Sequence, residues 1–179
     1  MGGRRRAFIT VQLIIKNTTT ATGDDTMNIA FFLTLKKDVA YVYDDFTIRQ
    51  ALEKMKHHGY TSIPVISRRG KYVNTVTEGD FLWYMLDESI EDTDGVSIYD
   101  AEDLKLRDIL PKKITPAARI TATMDELLEL ALNQNFVPVI DDKDCFIGIV
   151  TRKNIIRHFI ESLTDSKKPP HGAEEDSAL

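Results

Sequence analysis

The stretch VTEGDFLWYML occupies residues 76–86, and VTRKNIIRHFI occupies residues 150–160. Both begin with Val-Thr. Both place a carboxylate or a carboxamide three residues after the threonine, Asp80 and Asn154. Both then turn apolar at helical spacing. A phrase said twice in so short a chain points to a unit built twice, so its surroundings should match as well.

They do. Ile63-Pro64-Val65-Ile66 returns as Val137-Pro138-Val139-Ile140. Pro64 to Thr77 and Pro138 to Thr151 are both 13 positions, so the offset between halves is 74 at both anchors. Upstream the match continues with a shift of two. Thr47-Ile48-Arg49-Gln50 and Thr123-Met124-Asp125-Glu126 both read as capping boxes, in which Thr and Gln or Glu satisfy each other's backbone N–H. Ile48, Ala51, Leu52 and Met55 form one apolar stripe, and Met124, Leu127, Leu128 and Ala131 form its partner. A short strand precedes each helix, at 39–43 and 117–120. A buried strand ending in Pro-Val-Ile follows each. The turns SRRGK and DDKD come next, then strands at 72–76 and 146–150, then the helix after the Thr. Each half predicts β-α-β-β-α over roughly 55 residues, too few to bury a sufficient core alone. The expected fold class is therefore α/β (α+β): two tandem repeats packed as one pseudo-twofold body.

The totals fit this. A chain of 179 residues makes one compact domain or two very small ones. Its net charge is −5, with no basic stripe to track a phosphate backbone, so nucleic acid is not an expected partner. The single cysteine, Cys145, offers neither an internal disulfide nor a metal cluster and suits a reducing cytoplasm. The opening MGGRRRAFITVQLIIKNTTT resembles a secretory signal, but Thr10 and Gln12 break its apolar run and no small-residue cleavage site follows. It is also too short to span a membrane. The plainer expectation is a start at Met27, with 1–26 a disordered leader or upstream extension. The remaining expected divisions are a first repeat at 27–86, a solvated acidic linker at 87–105, a second repeat at 106–163 and a disordered polar tail at 164–179.

Capped helix, Pro-Val strand, turn, strand ending in Thr, then Asp or Asn three residues on: this order resembles the CBS repeat, and two in tandem resemble a CBS pair, or Bateman module. The resemblance covers about 29–163, with Leu106-Arg107-Asp108-Ile109-Leu110 as the short helix leading into a repeat. Nothing else remains to form an enzyme domain, so the chain resembles a stand-alone CBS protein. The resemblance implies adenosine-containing ligands in clefts between the repeats and a homodimer formed through the CBS helices. More narrowly, Asn135-Phe136-Val137 and Thr151-Arg152-Lys153 resemble the cyclic-di-AMP-binding CBS proteins of Gram-positive bacteria. So do Val39-Ala40 and Gly59-Tyr60-Thr61-Ser62-Ile63-Pro64 in the first half. That likeness implies a regulated partner such as a (p)ppGpp synthetase.

The chemistry of the residues sharpens the expectation. The Asp80 carboxylate can accept from both hydroxyls of a ribose, and Thr77 can cap the following helix or touch ribose or phosphate. The helix start supplies free N–H groups for phosphate. Backbone at Val39 and Ala40 can read an adenine edge, facing Tyr60, Thr61, Ser62, Ile63 and Pro64, with Ile63 and Pro64 as an apolar wall and Tyr60 as a stacking platform. In the second cleft, Val137, Pro138 and Thr151 are the corresponding nucleotide-binding candidates. Asn154 replaces the carboxylate there, whereas Arg152, Lys153 and Arg119 favour phosphate. Glu78 and Gly79 do not, so inequivalent clefts are expected, with phosphate preferred in the second. Bland alternatives stand beside these roles. Thr77 to Asp80 is also an ordinary N-cap, Tyr60 an ordinary aromatic, and Arg152 and Lys153 ordinary solvated cations. Asn74 stands where the second half has Gly148, which puts crowding or altered hydrogen bonding into the first strand.

Other candidates are weaker. His57 and His58 are adjacent and diverge on a helix. Asp141, Asp142 and Asp144 lack the ligand spacing of a calcium loop. No nucleotide-triphosphate, hydrolase or zinc-protease motif occurs. Trp83, Tyr84 and Met85 are packing or dimer residues. The expectation is thus a regulatory adenine-nucleotide module (AMP, ATP or cyclic-di-AMP), not an enzyme and without a cofactor. A ligand-free dimeric scaffold with degenerate clefts is the alternative.

Overall fold

The computed structural model describes residues 28–86 and 103–165. The expected leader, most of the acidic linker and nearly all of the expected tail lie outside these. Among the described residues, seven strands and five helices follow one another as β1 (Thr34–Leu35), β2 (Val42–Tyr43), α1 (Ile48–His58), β3 (Ser62–Ile66), β4 (Tyr72–Thr77), α2 (Glu78–Leu86), α3 (Leu106–Ile109), β5 (Ala118–Arg119), α4 (Met124–Asn133), β6 (Phe136–Ile140), β7 (Phe146–Thr151) and α5 (Arg152–Asp165). Short 3-10 turns at Ile29–Phe32 and Lys36–Asp38 flank β1.

Both capping boxes form. Gln50 N donates to Thr47 Oγ1 at 3.2 Å while Thr47 N donates to Gln50 Oε1 at 3.0 Å. Thr123 and Glu126 do the same at 3.3 and 2.9 Å. The helix ends differ. Gly59 takes a left-handed φ of 66° after α1, whereas Gln134 is extended after α4. One extra residue in α1 and one more in the following connection move the offset between halves from 76 to 74. The strands before the helices are two residues long, so Val39 and Ala40 precede β2 rather than belonging to it.

Two sheets result, ordered β2-β3-β4 and β1-β7-β6-β5. Ser62 faces Thr77 and Phe136 faces Thr151 across antiparallel pairs, and each pair slips register one residue before its turn. The turns meet back to back. Phe146 N donates to Gly70 O at 2.9 Å, and Tyr72 N to Asp144 O at 3.1 Å. Lys71 bridges Cys145 between them. Gly70 and Asp144 both have positive φ, 82° and 62°, so equivalent residues make equivalent turns. Tyr72 stacks on Phe146, and Val39, Ile66 and Phe146 form a small core at this seam.

The halves exchange their lead segments. Ile29 and Phe32 are buried in the second core, with Leu127, Val137 and Val150. Leu106 and Ile109 are buried in the first, with Ile48, Met55 and Phe81. The end of the linker is therefore anchored rather than solvated: Leu104 packs on the first core and its carbonyl accepts from Ile48 N at 3.0 Å. Strand β1 pairs with β7, and a Cβ on Gly148 would lie 2.1 Å from Thr34 O. Asn74, the equivalent residue, is buried and solves the same problem with its side chain. Its Oδ1 accepts from Thr115 N at 2.9 Å, and Nδ2 donates to Pro111 O at 3.2 Å. The asparagine thus pins the lead segment of the other half instead of crowding it.

Candidate functional site

In the first half the ladder brings the expected residues side by side. Ser62 lies opposite Thr77, Pro64 opposite Thr75, and Glu78 N donates to Thr61 O at 3.1 Å. The start of α2 is thus tied to the segment before β3. The second half repeats the tie, with Arg152 N donating to Asn135 O at 2.9 Å and Val137 and Pro138 opposite Val150 and Ile149. The parallel pairing of Val42 with Val65, continued backwards, sets Ala40 level with Ile63.

The side chains divide. Thr77 and Asp80 make a complete capping box at the start of α2. Asp80 Oδ2 accepts from Thr77 N at 2.7 Å and from Thr77 Oγ1 at 2.8 Å, and Asp80 N donates to Thr77 Oγ1 at 3.2 Å. In the second half Asn154 N donates to Thr151 Oγ1 at 3.1 Å, with no reciprocal side-chain bond among the described residues. The cap uses Asp80 Oδ2, and a carboxylate carries a second acceptor oxygen, so the cap does not exclude a ligand contact at Oδ1. Tyr60 and Thr61 are exposed, and the Tyr60 ring stacks on His58 with centroids 5.3 Å apart.

Three groups of the expected residues are engaged within the protein itself. Ile63 is fully buried in the first core, as Val137 is in the second, and Pro64 and Pro138 are buried too. Their side chains belong to the cores, and Val39 is buried in the seam. Arg152 is not a free phosphate ligand in this structure. Its Nε donates to Ala131 O at 2.8 Å and its Nη2 to Gln134 O at 2.7 Å, so the guanidinium caps the end of α4. Arg119 is tied to the turn, donating to Asp141 O at 2.9 Å and pairing with Asp144 at 2.8 Å. Lys153 is exposed like Arg119, and alone of the three cations it is unengaged by any described residue.

Two features had no sequence signal. Lys36 and Lys54 place ammonium groups 5.2 and 5.4 Å from the centre of the Tyr41 ring, next to Ala40. The contact between the Tyr41 and Tyr43 hydroxyls, followed by burial, raises the Tyr41 pKa. Gln134 donates through Nε2 to Pro116 O at 3.0 Å. A concavity of about 480 Å³ between β5 and α4 is lined by Ala117, Ala118, Arg119, Ala122, Glu126 and Leu130 among others, and shares only Arg119 with the expected residues. No group of three or more metal-ligating side chains occurs among the described residues. None of their helices is long and apolar enough to cross a membrane.

The CBS-domain family model matches residues 32–87 and 106–161, more than half of the chain. The chain belongs to the CBS-domain family. As a CBS pair it is similar to inosine-5'-monophosphate dehydrogenase of Methanocaldococcus jannaschii, at 27% identity over 155 residues. That match covers 80% of this chain but only 28% of the dehydrogenase. The fold is similar to that of CbpB solved in complex with c-di-AMP, with a TM-score of 0.70, 23% identity, and coverage of 79% of this chain and 89% of that one. It is also similar to CBSX2 solved in complex with AMP, with a TM-score of 0.60, 22% identity and coverage of 75% and 96%.

Proposed function

We propose that this CBS pair is a regulatory, non-catalytic module that binds an adenine nucleotide, AMP, ATP or cyclic-di-AMP, and passes its occupancy to a partner protein in a reducing cytoplasm. What supports this reading most is the pairing of each Thr-x-x-Asp/Asn helix start with the segment before a Pro-Val strand, once in each half. A ribose docked on the Asp80 carboxylate gains charge-assisted hydrogen bonds of about 1.5–3 kcal/mol each before other costs. Likeness to structures holding c-di-AMP and AMP adds to the reading. A (p)ppGpp synthetase remains the partner class implied by the narrower resemblance. A homodimer would form through α2 and α5. Leu82 and Leu86 are exposed on α2, and their equivalents Ile156 and Ile160 are exposed on α5.

The test is thermal unfolding of the chain with AMP, ADP, ATP, cyclic-di-AMP, S-adenosylmethionine and GTP. A ligand that binds only the folded state must raise the midpoint. A shift with an adenine ligand and none with GTP is expected. Silence across the panel, with folded and nucleotide-free protein, would move the assignment to the second reading, a dimeric scaffold with degenerate clefts. The specific observation favouring that reading is that Arg119 and Arg152 are both engaged within the protein.

A further inference from the structure

The second half contains a buried acceptor that no described residue uses. Gln134 Oε1 is shielded from solvent and has no hydrogen-bond partner among the described residues. Its orientation is fixed, because Nε2 donates to the Pro116 carbonyl at 3.0 Å and an oxygen placed there would face another oxygen. The backbone beside it is held as well. Arg152 Nε and Nη2 donate to Gln134 O at 3.1 and 2.7 Å.

Pseudo-symmetry says what this spot is. Pairing of Val42 with Val65 and of Ala118 with Val139 makes Pro116 the equivalent of Ala40. The ties Glu78 N to Thr61 O and Arg152 N to Asn135 O make Gln134 the equivalent of Tyr60. Ala40 and Tyr60 are the residues assigned to the base in the first cleft. There Tyr60 is exposed and turned onto His58, and Ala40 offers both an N–H and a carbonyl. In the second cleft Pro116 has no N–H, and its carbonyl already carries a carboxamide donor. That bond is chemically the one the exocyclic amine of an adenine would make.

We propose that Gln134 decides which cleft fills first: its side chain occupies the base-recognition slot of the second cleft, which accepts an adenine nucleotide only when the Gln134–Pro116 bond opens. The proposal rests on the nucleotide-binding function proposed above. The unpaired Oε1 makes the latch a releasable one. A buried acceptor without a donor is unfavourable, and opening returns it to solvent or to a ligand donor. Filling order therefore runs from first cleft to second, the reverse of an order set by Arg152 and Lys153 alone.

The test is titration calorimetry of the full chain with AMP and, separately, with cyclic-di-AMP, comparing the parent with Gln134→Ala and Gln134→Met. The methionine keeps the length and loses the donor, and guards against a local collapse in the alanine variant. Both variants should tighten the weaker site by on the order of tenfold, the equivalent of one competing hydrogen bond, with the tighter site unchanged. In the parent, the Gln134 side-chain amide resonances should move to free-amide positions only as the weaker site fills. A weaker site left unchanged or loosened in both variants overturns the latch, loosening because Gln134 would then be a ligand contact. If the parent binds and the variants do not tighten, the latch alone fails. If the parent binds neither probe, the nucleotide reading fails and the latch with it.

Discussion

Asp80 shows how one side chain can serve two purposes. The sequence offered a helix cap and a ribose acceptor as rivals, and the geometry shows the cap made with Oδ2. A prediction follows for the two roles. Asp80→Ala removes the reciprocal half of the capping box, leaving the bond from residue 80 N to Thr77 Oγ1, and should cost about 1 kcal/mol in urea unfolding. Asp80→Asn keeps an acceptor for the cap and should cost a few tenths, yet both should lose first-cleft affinity for AMP, because the charge is gone. Equal affinity in parent and Asp80→Asn would leave Asp80 a cap only. Arg152 teaches the converse. Its place at a helix start suggested phosphate, but a long guanidinium can reach carbonyls 18 and 21 residues back in the chain, and no local pattern reports that. Asn74 likewise reads as a departure from Gly148, and only its partners, Thr115 and Pro111, show it to be a substitute.

At the level of elements, helices were the most legible. Capping boxes and apolar stripes are local, and Thr47 and Thr123 begin the helices they were expected to begin. The apolar runs at 39–43 and 117–120 predict longer strands than the two-residue ones that form, because apolar runs beside a seam stay apolar where the ladder has ended. β4 carries a testable group. Its Tyr72 hydroxyl donates to Thr115 O at 3.0 Å and meets Thr75 Oγ1 at 2.9 Å. Burial pushes its pKa up to about 12 from an ordinary 10.0. The unfolded chain releases this proton first, so the group's contribution to stability is complete below pH 10 and is lost as pH rises toward 12. The loss should approach about 1.4 kcal/mol per pH unit within that window. Urea unfolding of the parent and Tyr72→Phe should therefore show a difference that shrinks from pH 9.5 to 11.5, by roughly these amounts. A constant difference would mean Tyr72 titrates normally.

The whole molecule is held by exchange as well as by duplication. Phe32 lies ahead of the first repeat's helix in sequence, yet it is buried in the second core. Phe32→Ala should cost about 3–5 kcal/mol. Amide exchange should rise first in β6 and β7, not in β3 and β4, and the opposite pattern would contradict the exchanged packing. The exposed Leu82, Leu86, Ile156 and Ile160 belong to the same scale. Leu82→Glu should shift light scattering from dimer to monomer with the folded signal retained. A parent that is already monomeric at tens of micromolar would remove the dimer from the proposal.

The sequence by itself determined the repeat, its helices, its strand pairs and the residues at each helix start, because these follow from spacing, capping and alternation over a few residues. It marked the Thr-x-x-Asp/Asn positions and left their partners open. The tertiary structure alone decided which half each lead segment packs on, since Ile29, Phe32, Leu106 and Ile109 are equally apolar in either place. It alone tied Arg152 to α4 and Gln134 to Pro116. Those choices depend on which carbonyls lie within reach once two sheets have met, and hydrogen-bond geometry at 3 Å between distant residues has no sequence period to announce it.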